Sequence, residues 1–238
     1  MPKLNIGCWN IGSLLQNQQQ NTDIVTDTIH RFKPDILCLQ EFPSSDALLA
    51  QIKASGDFTH HIFIETSSTH VCDGWNMGLC VLSKTPLDTP EILPLPIPVD
   101  RIWYNGKEEF WHPKYFLQTA INLDGQPIKI ITGHGFPFYR YGLQELDYAY
   151  IYRTIDNWLQ PLLAEHPYLI AADFNAYDPI QFMPFVQSDH YDVFSGIPTR
   201  PTGRKTDVIA VRHGMKVEDT INIHVGLDHH YLQTQITL

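Results

Sequence analysis

Tyr168-Leu169-Ile170-Ala171-Ala172-Asp173-Phe174-Asn175-Ala176 is the stretch on which the reading of this chain turns. Its apolar half reads as a strand covered on both faces, because such a strand needs no polar alternation. The strand ends on Asp173 and Asn175. Residues two apart in extended backbone point to the same side, so a carboxylate and a carboxamide leave the core together at a strand tip. Ala171, Ala172 and Ala176 keep the flanks small, which lets a ligand or metal ion come close to the backbone. Asp and Asn also open turns with no further role. Against that plain reading, other strand-like runs in the chain end on polar side chains of the same kinds.

Upstream, Leu4 to Asn10 alternates like a strand and ends on Asn10. Gln16 to Asn21 reads as an exposed loop. Ile24, Val25, Ile29 and Phe32 then fall at helical spacing until Pro34 stops the helix. Asp35 to Glu41 is the next strand, ending on Gln40 and Glu41. A second helix is capped at Ser44 or Ser45 and runs to about Ala54. Phe58–Glu65 and Met77–Ser83 read as strands, with loop from Thr66 to Asn76. Five prolines between Pro86 and Pro98 leave edge or extended chain. Asp100 to Lys114 suggests a loop or hairpin beside the site. Tyr115–Leu123 and Pro127–Thr132 form a hairpin joined at Asp124-Gly125 and lead into Gly133-His134-Gly135. Leu143, Leu146, Tyr150, Thr154, Trp158 and Leu162 trace a helical stripe. Thr206–Val211, Thr220–Val225 and Tyr231–Leu238 complete the strands. Strand–helix–strand crossovers point to α+β layers around packed sheets, and the absence of a linker points to one domain over residues 1–238.

The totals agree. A chain of 238 residues, 43% hydrophobic and 18% charged, can bury a proper core. Its formal net charge of −10 repels polyanions at long range and disfavours tight nonspecific DNA binding. A divalent ion or a local basic cleft would offset that. Cys8, Cys38 and Cys80 lie in apolar runs, and no Cys/His zinc spacing joins them or Cys72. They read as reduced thiols of a cytoplasmic protein, although a removed leader would change that location. No run reaches the roughly 18 apolar residues that span a bilayer, and nothing implies an obligate protein partner.

The strand ends collect Asn10, Glu41, His134, Asp173, Asn175, Asp207 and Asp228-His229. Glu41, with help from Asn10 and Asp228, makes an oxygen-donor set suited to Mg2+ or Mn2+. His134 and His229, with ordinary pKa values near ~6.5, would exchange protons at neutral pH. Asp207 is the right type to orient a histidine, and Asn175 can donate to a phosphoryl oxygen. The bland alternatives are a turn cap at Asn10, a surface Glu41 and a strand-edge Asp207, and His230 competes with His229. His60, His61, His70, His166, His190, His213 and His224 take a default surface reading.

Taken in order, Cys8-Trp9-Asn10-Ile11, Leu39-Gln40-Glu41, Gly78 to Lys84, Thr132-Gly133-His134, Ala172-Asp173-Phe174-Asn175, Thr206-Asp207-Val208-Ile209 and Leu227-Asp228-His229-His230-Tyr231 resemble the motifs of the endonuclease/exonuclease/phosphatase superfamily. Each motif is weak alone, but their order along nearly the whole chain is specific. The resemblance implies a DNase I-like four-layer α/β sandwich, two packed and mainly antiparallel β-sheets flanked by helices. It implies a metal-dependent phosphoric ester hydrolase, a phosphodiesterase or nuclease. Glu41 would be the main metal ligand with Asn10 nearby, and His229 with Asp207 the base or phosphate polariser. Asp173 and Asn175 would orient water and phosphate. Ala172 and Leu227 depart from the usual Gly and Ser, which bears on the substrate branch.

Substrate choice falls to loops. Arg140, in the segment with Phe136, Phe138 and Tyr139, and Arg204, in the basic stretch Thr199 to Lys205, are the candidate binding cations. Trp103 and Phe136 would stack a base, seat an acyl chain or simply pack. The substrate is then a nucleic acid, a small phosphoester or a lipid headgroup, the latter two in the alternative of a phosphatase or phospholipase-type hydrolase. A non-catalytic binding member of the fold should have lost the metal carboxylate or the histidine, and this chain keeps both.

Overall fold

The computed structural model describes residues 3–12, 18–67, 76–99, 101–104, 106–109, 113–162 and 167–237. Expectations for Gln16, Cys72, His70, His166, Asp100, Trp111, Leu238 and most of the 66–76 loop lie outside these residues.

Two six-stranded sheets carry the fold. The first contains β1 (Lys3–Asn10), β2 (Ile36–Pro43), β3 (His60–Ser67), β4 (Met77–Ser83), β13 (Lys216–Ile223) and β14 (Tyr231–Thr237), in the order β13-β14-β1-β2-β4-β3. The second contains β5 (Glu91–Pro94), β8 (Tyr115–Leu123), β9 (Gln126–Gly133), β10 (Tyr168–Asp173), β11 (His190–Asp192) and β12 (Asp207–Arg212), in the order β11-β12-β10-β9-β8-β5. Each sheet is antiparallel except for one central parallel pair, β1 with β2 and β9 with β10. A parallel pair needs a crossover, and the helices α1 (Gln18–Phe32) and α3 (Ala149–Leu159) lie in the two crossovers. The buried face of α3 includes Ile151, Tyr152, Ile155 and Leu159.

Side-chain parity builds three cores from the two sheets. In β10, Leu169 and Ala171 face the other sheet, while Tyr168, Ile170 and Ala172 face the helical side. In β2, Ile36 and Cys38 face the second sheet, while Leu37 and Leu39 pack beneath α1 and α2 (Asp46–Gly56). Strands buried on both faces therefore read as apolar runs rather than alternating ones. The layers are α1 and α2, first sheet, second sheet, then α3 with α4 (Pro184–Asp189). This is the expected four-layer sandwich. Cys8, Cys38 and Cys80 are buried free thiols, and burial raises the pKa of each, Cys38 to about 12.

Several local expectations hold. Ser45 caps α2 by accepting from the Leu48 amide. Asp124 and Gly125 both take positive φ in the tight β8–β9 turn. The proline-rich segment contributes only the edge strand β5. The aromatic stretch after it forms a short hairpin, β6 (Ile102–Tyr104) with β7 (Lys107–Glu109).

Others are corrected. Gln18 to Asn21 is the first turn of α1 rather than loop, since Gln is a good helix former. The stripe from Leu143 begins as irregular chain and one 3-10 turn, Glu145–Tyr148, and the α-helix starts only at Ala149. His190 is buried, with Nε2 against the Tyr168 carbonyl at 2.9 Å, and is no surface histidine. Phe136 and Phe138 are core residues and cannot stack a substrate. No described helix is long and apolar enough to cross a membrane.

Candidate active site

The candidate residues stand where the inter-sheet core runs out. Asn10 continues the parity of Ile6 and Cys8, Asp173 that of Leu169 and Ala171, and Asp207 that of Ile209 and Val211. His134 follows β9 and bridges Asp173 in parallel fashion. Gly135 donates its amide to the Asp173 carbonyl at 2.8 Å. A Cβ at Gly135 would meet the Phe174 carbonyl oxygen at 2.1 Å, so only glycine permits this close approach.

Glu41 reaches the site by a different device. Gln40 carries the parity of Cys38, is buried between the sheets, and donates to the Thr132 hydroxyl at 3.1 Å. The pairing of β2 with β4 then slips between Leu39 and Phe42, and Glu41 adopts φ 52°. Such a bulge re-aims a side chain at a strand end. Gly12 leaves room for the result, because a Cβ there would lie 1.8 Å from Glu41 Oε2.

The side chains interlock. Asn10 Nδ2 donates to Asp173 Oδ2 at 2.8 Å and to Glu41 Oε1 at 3.2 Å, while its Oδ1 accepts from the Gly12 amide. Asp173 Oδ1 accepts from the Asn175 amide at 2.8 Å. Asn175 has φ 53°, and its Nδ2 donates to the Gly135 carbonyl at 3.1 Å.

The two histidines differ. His229 Nδ1 lies 3.1 and 3.0 Å from the two Asp207 oxygens. An ionised carboxylate only accepts, so this nitrogen carries hydrogen. Nε2 then faces Asp173 and Asp228, each at 3.9 Å. Burial opposes the charged ring, but Asp207 and Asp173 outweigh it and raise the His229 pKa to about 9. His134 moves the other way: burial, then Lys114 and His229, push its pKa well below the ordinary value. Lys114 Nζ sits 3.0 Å from His134 Nδ1 and can only donate, so the neutral ring carries its proton on Nε2. That Nε2 is buried without a hydrogen-bond partner among the described residues, 3.4 Å from Glu41 and 3.7 Å from Asp173. The expectation of two ordinary histidines is therefore corrected for both.

Asp173 and Asp207 also diverge. Burial and Asp207 raise the pKa of Asp173, against the opposing pull of His229. For Asp207 burial acts upward too, but His229 prevails and lowers it. His230 is excluded as the partner of Asp207, since its Nδ1 is 2.7 Å from Asn222 Oδ1.

Ligand atoms of Asp173, Asp207 and His229 lie within 4.8 Å of one another. That trio is a poor cage for a hard ion: Asp207 and His229 neutralise each other, and all three are buried, leaving no room for retained waters. Glu41 and Asp228 suit such an ion better by exposure, with side chains 32% and 51% exposed. Glu41 is centrally placed. Asp228 lies on the rim and forms an ion pair with Arg200.

Beside Asn175 a cavity of about 360 Å³ is lined by Tyr139, Leu143, Glu145, Tyr177, Arg204 and Thr206, among others. Arg204 lies over the Tyr139 ring at 4.1 Å. Arg140 is exposed on the adjoining turn and does not line this cavity. The basic stretch divides: Lys205 is buried in an ion pair with Asp192, and Arg200 turns to the site. Sequence alone does not single out Arg200 or Tyr139. Their only signals are a run of three cations and an aromatic after His134.

A model of the endonuclease/exonuclease/phosphatase family matches residues 7–221. The chain belongs to that family. Its members typically hydrolyse phosphoesters and are generally dependent on divalent metal. No curated protein matches the sequence. Among solved structures, a family protein from Leptotrichia buccalis C-1013-b is similar at TM-score 0.70 and 16% identity, covering 99% of this chain and 100% of that one. The human Nocturnin catalytic domain with bound sulfate anion is similar at TM-score 0.68 and 16% identity, covering 99% and 93%. D. rerio TDP2 complexed with single strand DNA product is similar at TM-score 0.69 and 16% identity, covering 100% of both chains. At these identities the likeness is one of fold.

Proposed function

We propose that this protein is a Mg2+- or Mn2+-dependent phosphoesterase, a phosphodiesterase or nuclease, that directs water at phosphorus in line with the leaving oxygen. The observation that carries the reading is the His229–Asp207 pair facing Asp173, with Glu41 and His134 across the cleft.

The donor set fits a divalent ion. Glu41 offers hard oxygens in the space that Gly12 vacates, Asp228 adds a second carboxylate, and Asn10 holds Glu41 in place. Glu41 is the principal ligand in this reading, with Asp228 and Asn10 assisting. When bound, the ion would supply Lewis-acid neutralisation of the phosphate.

The chain's own groups do the rest. His229, positively charged at neutral pH by virtue of Asp207, stabilises negative charge building on the phosphoryl group. Asp173 has the raised proton affinity of a base and takes a proton from the attacking water. Neutral His134 donates Nε2–H to a phosphoryl oxygen, which satisfies an otherwise unpartnered atom. Asn175 places its amide on the same phosphate, and Arg204, which lines the adjoining cavity, meets the rest of the substrate, with Arg140 exposed on the turn beside it.

One observation favours the second reading, hydrolysis of a small or lipid phosphoester. The cavity beside Asn175, at about 360 Å³, is in the range that holds a small organic group, and the net charge of −10 disfavours a long polyanion.

The test is hydrolysis of bis-p-nitrophenyl phosphate and p-nitrophenyl phosphate with Mg2+, Mn2+ or chelator, by wild type and Glu41→Gln. Metal-dependent turnover of the diester, lost in the variant, is expected. Preference for the monoester would move the assignment to a phosphatase. Turnover that survives chelator would overturn the metal-dependent mechanism.

A further inference from the structure

Arg200 occupies a place in the site that the proposed chemistry does not use. Its Nη2 forms an ion pair with Asp228, and its Nη1 donates to the Tyr139 hydroxyl at 2.6 Å. The side chain is only 12% exposed, and Nε is buried with no hydrogen-bond partner among the described residues. A buried donor left without a partner is costly, so an acceptor brought there by a water or a ligand would be stabilised.

The backbone fixes where this guanidinium sits. Residues 200–204 form a tight turn in which Arg200 donates its amide to the Arg204 carbonyl, and Gly203 donates to the Arg200 carbonyl. His230 donates its amide to the Thr199 carbonyl at 2.8 Å, which ties this turn to the segment carrying Asp228 and His229. Thr199 Oγ1 accepts from the amides of Thr206 and Asp207, tying it also to the start of β12. Arg204 covers the Tyr139 ring, so the hydroxyl that anchors Arg200 is itself held.

We infer that Arg200 is a substrate-binding residue that grips the phosphate, and that it shares Asp228 with the divalent ion. This rests on the phosphoesterase reading above. A guanidinium presents five donors in a planar fork that matches phosphate oxygens, and here Asp228 and Tyr139 engage its two terminal nitrogens. One carboxylate cannot serve Arg200 and the ion at full strength together. Were Asp228 to serve an ion, guanidinium donors of Arg200 would be released to the phosphate, with Tyr139 holding the group in place. Tyr139 thereby acts as a positioning residue.

Arg200→Gln and Tyr139→Phe would be compared with wild type by calorimetry of Mn2+ binding and of inorganic phosphate binding, with unfolding midpoints as a check on the fold. Arg200→Gln is expected to bind Mn2+ several-fold more tightly, since a positive charge that competes for Asp228 is removed. It should bind phosphate about tenfold or more weakly, the loss of a charge-assisted bond. Opposite signs in one variant are what a merely structural arginine would not produce. Tyr139→Phe keeps the charge and should weaken phosphate by a smaller factor, with KM raised more than kcat is lowered. Both affinities unchanged, or both weakened, in a folded Arg200→Gln would overturn the inference alone. A wild type that binds no Mn2+ would overturn the shared carboxylate together with the reading beneath it.

Discussion

The candidate active site and the neighbouring cavity share Asn175 as a border and are built by different rules. Asn10, Asp173 and Asp207 extend the alternation of strands whose preceding residues fill the inter-sheet core. Their directions are set by sheet register, and a one-residue slip would turn each away. Tyr139, Glu145, Tyr177 and Arg204 instead sit on 3-10 turns and short loops. What holds them is contact from one loop to another: Glu145 accepts from the Tyr177 amide, and Arg204 rests on Tyr139. The contrast separates a half anchored in the sheets from a half carried on loops, the usual division between scaffold and specificity. Substitutions in the first half should therefore cost turnover, and those in the second should cost binding.

The largest effect is expected at His229. Glutamine there keeps a hydrogen-bond donor for buried Asp207 but cannot carry the charge. His229→Gln should lose about 10²–10⁴ in kcat, the range for a proton-transferring or charge-bearing group, while circular dichroism stays that of wild type. Normal turnover in a folded variant would remove His229 from the mechanism and erase the distinction between the halves.

Next in size is Asp207→Asn. Asp207 and Asp173 hold the His229 pKa at about 9. A folded-state pKa raised above the ordinary ~6.5 stabilises the fold below that value, and the contribution is lost as pH rises through about 9. Activity that needs the charged ring should follow the same limb. Asparagine removes the first of the two raising charges, so the alkaline fall in kcat should move toward neutral pH. At about pH 8 the expected loss is about ten- to a hundredfold, within the range of acid–base contributions. An alkaline limb that stays in place would show that another group sets it.

The same contrast governs how much of the molecule is legible in its sequence. The four-layer order follows from the motif resemblance and the short β11 and α4 are not legible, whereas the main strands are, because apolar runs bounded by Pro and Gly leave little choice of element. Asp173 and Asn175 are too, since a buried strand has no packing use for two polar side chains at its tip. Residue type and spacing leave His229 and His230 equivalent, and only the motif resemblance picks His229, because the turn before β14 decides which ring meets Asp207. Glu41 is legible as a candidate, but the bulge that aims it is not, because it depends on pairing with β4. The protonation of both histidines is hidden for a similar reason: burial and Lys114, twenty residues before His134 in the chain, are tertiary facts. Arg200, Arg204 and Lys205 look alike in sequence. A distant aspartate, Asp192, buries one of them, Tyr139 and Asp228 take another, and the third lies on the Tyr139 ring.

The smallest effect is expected on the cavity side, at Tyr177. Its side chain is 61% exposed and contributes little to the core, so truncation should leave the unfolding midpoint within a degree or so. It nevertheless lines the cavity beside Asn175. An aromatic contact with a bound organic group is worth about 0.5–1.5 kcal/mol, so Tyr177→Ala should raise KM by roughly two- to tenfold and leave kcat unchanged. That pattern is the mark of binding felt equally by substrate and transition state. A fall in kcat without a change in KM would mean that the cavity takes part in the chemical step, and the boundary between the two halves would then have to be drawn beyond Tyr177.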